Sequence, residues 1–181
     1  DHRDLHSFPT RRSSDLIAYE AYQKGIPWIA GPFMNAVNSY TLKALKEQFK
    51  CSGAFISNEI KLFQIKKIKK PEDFDLYYSI YHPLVMMTSR QCLFHPVTEC
   101  EKNVIDNSCI ANCEKTSSIT DLKKNSFFIS KTKGNYHNLF NEANYLNTDI
   151  ITDLPDVFTS FFIDLRDIRS NTKVTVTKSK L

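Results

Sequence analysis

Between residues 26 and 87, short apolar runs alternate with amphipathic stretches, and this alternation narrows the fold more than any other feature. Pro27-Trp28-Ile29-Ala30 reads as a strand, and Ser39 is placed to cap a helix on which Leu42, Leu45 and Phe49 recur at three and four residues. Ser52 to Ser57 reads as a second strand. A helix carrying Ile60, Phe63 and Ile68 then runs into Pro71, which has no N–H to continue it. Asp75 to Tyr81 and Leu84 to Met87 complete the strand pattern. Strands joined by helices of this length are βαβ units, so the expected class is α/β, a parallel sheet or barrel. Phe127 to Ile129, Ile150-Ile151 and Phe161 to Leu165 carry apolar periodicity further along. Thr172 to Leu181, alternating Val and Thr before turning basic, is a candidate edge strand.

The remaining glycine and motif inventory is mostly exclusion. The chain has 4 glycines, Gly25, Gly31, Gly53 and Gly134, too widely spaced for a dinucleotide fingerprint or a phosphate-cradling loop. A G-x-S-x-G elbow and an H-E-x-x-H helix are also missing. Hydrophobic residues make up 41% and charged ones 24%, the balance of a globular domain. No apolar run approaches the length of a membrane span. Residues 1–16, DHRDLHSFPTRRSSDL, lack helical or strand period and resemble translated sequencing adapter, so they are expected to be foreign to residues 17–181. Without them the net charge stays at +4, because three Arg leave with three Asp.

From Ser89 to about Asn125 the composition shifts to Cys, Asn, Ser, Thr and Lys without a sustained period, an irregular insertion of functional length. Cys92, Cys100, Cys109 and Cys113 fall in it, spaced C-x7-C-x8-C-x3-C. With no export signal visible, thiolates so grouped point to metal rather than disulfides, in a cytoplasmic setting. Cys109 and Cys113 would make one zinc pair, but Cys92 and Cys100 are too far apart for a second. A [4Fe–4S] cluster tolerates such irregular spacing; zinc and reduced structural thiols remain the alternatives. Cys51, outside the insertion, reads as a small buried hydrophobe.

Glu59, His82 and Arg166 each follow an expected strand, where βα folds build their sites, and Arg90 lies two residues before Cys92. Each has a plainer explanation. Glu59 can complement a helix dipole, His82 can bond backbone, Arg166 can pair with Asp164 or Asp167, and Arg90 can be a solvated loop residue. Lys66, Lys67, Lys69 and Lys70 can meet RNA phosphates, but they equally suit a solvated helix end. Tyr77, Tyr78, Tyr81 and Trp28 read as packing residues.

The order Asn38-Ser39, SGAFISNEI with Glu59, YSIYHP with His82, then Arg90 and the cysteines to Cys113, resembles the U32 peptidase family, also called collagenase-like proteases. The stretches YYSIYHPLVMMTSRQCLFHPVTECEKN and FFISKTKGNYHNLFNEANYLNTDIITDLP are most similar to its ribosomal RNA hydroxylase branch, which forms 5-hydroxycytidine in 23S ribosomal RNA. The resemblance implies the later half of a TIM-like (β/α) barrel, by itself inactive. It also implies an iron–sulfur cluster, a prephenate requirement and ribosomal RNA as partner. Peptidase activity, implied by the family name, and a non-enzymatic zinc-containing RNA-binding module are the alternatives. Two positions depart from the family pattern. Glu114-Lys115 follows Cys113 in place of arginine, and Phe162 to Arg166 keeps only the arginine of a Lys-Ile-Glu-Gly-Arg segment.

Overall fold

The computed structural model describes residues 9–97, 100, 102, 106, 108, 109, 113, 117–132, 136–166 and 168, with 9–15 and 132 as backbone only. The chain forms two compact units, one from Asp1–Ile80 with Asn147–Ile163, the other from Tyr81–Leu146 with Asp164–Leu181.

The first unit holds the βαβ pattern. Helix α1 (Pro9–Gln23) leads to strand β1 (Ile29–Ala30), a 3-10 turn (Pro32–Met34), helix α2 (Ser39–Phe49) and strand β2 (Gly53–Phe55). Helix α3 (Leu62–Ile65) and strand β3 (Asp75–His82) follow, and the chain later returns as helix α4 (Asp149–Asp153) and strand β9 (Ser160–Ile163). β1 pairs with β2 and β2 with β3, both parallel, in the registers Ala30 with Ala54 and Ala54 with Leu76. β9 lies on β3. The hydrogen bonds Thr159 N–H to Leu76 O and Asp164 N–H to Tyr81 O advance together along both strands, so this pairing is parallel too. Apolar residues from both helix and sheet meet in one core of Leu42, Leu45, Ile56, Ile65, Phe74, Leu76, Tyr78, Ile150 and Phe158, with Cys51 buried among them as a small hydrophobe. Burial raises the Cys51 thiol pKa, and its Sγ donates to the Gly53 carbonyl at 3.0 Å. Tyr78 is core, Tyr77 stacks on Phe55, and Trp28 packs on the core edge while its indole N–H donates to the Phe49 carbonyl.

Several boundaries differ from the sequence expectation, each for a local reason. Asn38, not Ser39, caps α2: its Oδ1 accepts the Thr41 N–H at 2.9 Å, while Ser39 Oγ accepts the Lys69 N–H. Asn38→Ala should therefore cost about 1 kcal/mol in a urea titration, and an unchanged midpoint would contradict the cap. α3 is a single turn, so Ile60 and Ile68 pack on the core from the segments flanking it rather than along one helix face. Ile150 and Ile151 belong to helix α4. α1 extends back to Pro9, through residues set aside as foreign. A helix nucleated by the Ile17–Gln23 turns propagates at little cost, and proline is tolerated at a helix start.

The second unit is antiparallel. Strands β4 (Val85–Ser89), β5 (Ser117–Thr120), β6 (Ser126–Thr132) and β7 (Tyr136–Asn141) form a sheet in the order β4-β7-β6-β5. Within this unit the last residues of β3 pair with β8 (Tyr145–Leu146), His82 opposite Tyr145. Among its described residues Pro83, Phe94, Ile129, His137 and Phe140 are buried. Strand β5 forms inside the 89–125 stretch on the strength of its pairing with β6. The fold is mixed α/β, with parallel and antiparallel sheets. Among the described residues the strands do not close into a barrel. Thr172 to Leu181 lie outside the described residues.

Candidate functional site

The C-terminal ends of β3 and β9 bring two of the expected site residues together. His82, the last residue of β3, lies face to face with Tyr145, ring centroids 4.8 Å apart and planes at 25°. Just beyond β9, the Asp164 N–H donates to the Tyr81 carbonyl at 2.7 Å, which fixes the acid beside the same strand end. Asp164 in turn holds Arg166. The guanidinium donates from Nε at 2.9 and 2.8 Å and from Nη2 at 2.6 Å, and the Arg166 N–H adds a fourth bond to the carboxylate. On the neighbouring side, Asn144 Nδ2 donates to the Tyr81 hydroxyl at 2.7 Å.

The charges in this cluster are unequally placed. Burial lowers the His82 pKa. The Asp164 carboxylate opposes that shift and the Arg166 charge reinforces it, so the imidazole is neutral at pH 7. Burial pushes Asp164 up, but the hydrogen bonds and charge of Arg166 outweigh it and hold the carboxyl below the usual carboxylate range. The Asp164 hydrogen bonds likewise raise Arg166. A neutral imidazole beside a committed ion pair can accept a proton without first giving one up, and can return it once protonated. It also predicts a pH dependence. Below the ordinary histidine value of about 6.5 the unfolded chain takes up a proton that folded His82 resists. The His82 contribution to stability is therefore complete above that value and declines as pH falls towards the folded pKa. Urea midpoints of the His82→Gln variant should show a shallower decline between about pH 7 and 5 than the parent. An identical decline would place the titration elsewhere.

The other expected residues sit apart from this cluster or belong to the other unit. Glu59 is exposed just past β2, its N–H donating to Ser57 Oγ at 3.2 Å, while neighbouring Asn58 donates to the Ser79 carbonyl. Arg90 lies against Tyr136, with Nε donating to the hydroxyl at 3.1 Å and the guanidinium 5.5 Å over the ring. His137, which no local pattern singles out, anchors the start of the cysteine segment. Its Nδ1 lies 2.9 Å from the Gln91 carbonyl and its ring meets Phe94 edge-on. Gln91 and His137 stand 46 positions apart in sequence, and the β4–β7 pairing brings them together. The apolar cleft beside α1, lined by Ile17, Trp28, Phe33 and Met34, contains none of the expected residues.

Cys92, Cys100, Cys109 and Cys113 are all half-buried free thiols. Cys109 has three described polar neighbours. Its N–H donates to Asp106 Oδ1 at 2.9 Å, its carbonyl accepts from Lys131 Nζ, and the Lys102 ammonium stands beside its thiol. Hydrogen bonds from Ser108, the Cys109 N–H and Lys102 hold the Asp106 carboxyl far below the usual range. The donor chemistry suits iron or zinc. The arrangement does not, because among the described residues no three His, Cys, Asp or Glu side chains stand together as a metal-ligand group. These four thiols would have to be drawn together to hold a metal centre.

No helix among the described residues is long and apolar enough to cross a membrane. No curated protein and no solved structure gave a significant match to the chain. The family model described as "Peptidase family U32" matches residues 14–179. That span takes in most of each unit, the His82–Asp164–Arg166 cluster and all four insertion cysteines, and the chain belongs to peptidase family U32.

Proposed function

We propose that this chain is part of an RNA hydroxylase that adds oxygen to a cytidine of ribosomal RNA, giving 5-hydroxycytidine. The observation that carries the proposal lies within family membership. The two stretches most similar to the RNA hydroxylase branch, Tyr77–Asn103 and Phe127–Pro155, supply His82, Arg90, Cys92, Cys100, His137 and Tyr145. In the intact enzyme the parallel strands of the first unit would be part of a TIM-like barrel, with the site at the C-terminal strand ends. His82 would be the group that takes or returns a proton. Arg166, with its guanidinium spent on Asp164, would be a positioning residue. A [4Fe–4S] cluster on Cys92, Cys100, Cys109 and Cys113 belongs to the proposal as an electron carrier that the insertion must close around to bind. A prephenate requirement and a cytoplasmic location belong to it as well.

The competing readings are separated by one set of assays on the intact protein. The hydroxylase reading expects iron and acid-labile sulfide on anaerobic purification and no cleavage of denatured collagen. Collagen cleavage that disappears in a Cys109→Ala variant would replace it with the peptidase reading. Zinc without sulfide, with RNA binding and no altered base, would replace it with the structural module.

A further inference from the structure

The β5–β6 hairpin ends in Asp121-Leu122-Lys123-Lys124-Asn125, and its tip is internally hydrogen-bonded and exposed. Asp121 accepts at Oδ1 from the N–H groups of Lys123 at 2.8 Å and Asn125 at 2.9 Å, and at Oδ2 from the Asn125 side chain. Backbone bonds from Asp121 N–H to the Asn125 carbonyl and from Lys124 N–H to the Asp121 carbonyl close the turn. The acid is thus committed to holding the turn. What the turn presents is Leu122, at 105% relative exposure the most exposed large hydrophobic residue described, followed by the two exposed lysines Lys123 and Lys124.

The lysines are distinctive in their unit. Among its described basic residues, Arg90 lies on Tyr136, Lys102 on Asp106, Lys131 on the Cys109 carbonyl and Arg166 on Asp164. Among the described residues no carboxylate pairs with Lys123 or Lys124. Lys124 also sits at φ +68°, a conformation that glycine adopts freely and lysine only at a cost of about 1 kcal/mol. Lysine is therefore not the residue that the turn itself favours.

We propose that this tip is a contact point for RNA, with Leu122 packing against an exposed base while Lys123 and Lys124 meet the flanking phosphates; the proposal rests on the RNA reading above. An exposed apolar side chain next to two exposed cations suits a single strand, which offers unstacked bases beside its phosphates. A duplex offers the same phosphates but keeps its bases stacked.

The test is anisotropy binding of the intact protein to a fluorescein-labelled single-stranded RNA oligonucleotide across a salt series. Lys123→Glu with Lys124→Glu should weaken binding at least tenfold and flatten the log–log salt slope by about 0.7 per lysine. Leu122→Ser should weaken it about fivefold with the slope kept. Lys124→Gly separates binding from folding: it should raise the thermal midpoint yet lower RNA affinity. Unchanged affinity and slope in all three variants, or no RNA binding by the parent, would overturn the proposal. So would tip-dependent binding to phosphatidylserine vesicles with none to RNA. If the tip variants bind RNA weakly but the parent oxygenates no base, the contact stands and the hydroxylase reading falls. If oxygenation proceeds in the variants with an unchanged KM, the contact falls and the hydroxylase reading stands.

Discussion

Gly53→Ala should destabilise the protein by about 3 kcal/mol, whereas Gly31→Ala should be nearly neutral. A methyl group on Gly53 would lie 2.7 Å from the Asp75 carbonyl oxygen and 2.9 Å from both Asp75 Cβ and Tyr77 Cε2. Two of these atoms cannot simply swing away. The carbonyl is backbone and Cβ is fixed to it, and both belong to the β3 segment paired with β2 in the register Gly53 with Asp75. Relief requires the parallel strands to separate at the centre of the first core, where Ala54, Leu76 and Tyr78 are buried. Gly31 has no atom within 4 Å of the same position and has ordinary extended backbone, so it serves as the control. Urea titration of the two variants measures the difference. Equal midpoints would mean that β2 and β3 are not packed in this register.

The second large effect is chemical. If the proposed cluster and hydroxylase reading hold, replacing Cys109 and Cys113 together by alanine should remove iron and acid-labile sulfide from the purified intact protein and abolish RNA oxygenation. Cys51→Ala, which deletes a thiol buried in the first core, should leave the metal content unchanged while lowering stability by about 1 kcal/mol. This pairing distinguishes loss of a ligand from general damage to the fold. Retention of iron and sulfide in the double variant would place the cluster on other residues. Because the four thiols are not gathered among the described residues, metal binding should also change the insertion: hydrogen exchange between 89 and 125 should slow on loading.

Much of the first unit was legible in the sequence because its signals are local. The apolar spacing of Leu42 and Leu45, the glycine and serine around β2 and the β-rich run before His82 each act within one element, and the elements appear where the pattern puts them. The second unit depends on partners far apart in sequence. Ser117 to Thr120 looks irregular alone and becomes a strand only because Ser126 to Thr132 lies beside it. The turn between them carries no Asn-Gly or Asp-Gly signal; lysine occupies the left-handed position and Asp121 supplies the hydrogen bonds that make this possible. The same limit applies at the site. Strand-end position pointed to His82 and Arg166, yet neither Tyr145 stacking on the imidazole nor Asp164 binding the arginine follows from position alone. Both contacts depend on β8 and β9 returning to β3. The plainer reading, an Arg166–Asp164 ion pair, is readable from their spacing, and it turns Arg166 from a strand-end site candidate into a held group.

The most direct measurement is mass analysis of ribosomal RNA nucleosides from cells lacking the intact protein, complemented by the parent or by the Cys109→Ala, Cys113→Ala variant. The hydroxylase account predicts that one cytidine loses the mass of a single oxygen atom in the deletion, regains it with the parent and fails to regain it with the variant. An identical nucleoside profile in all three would contradict the account.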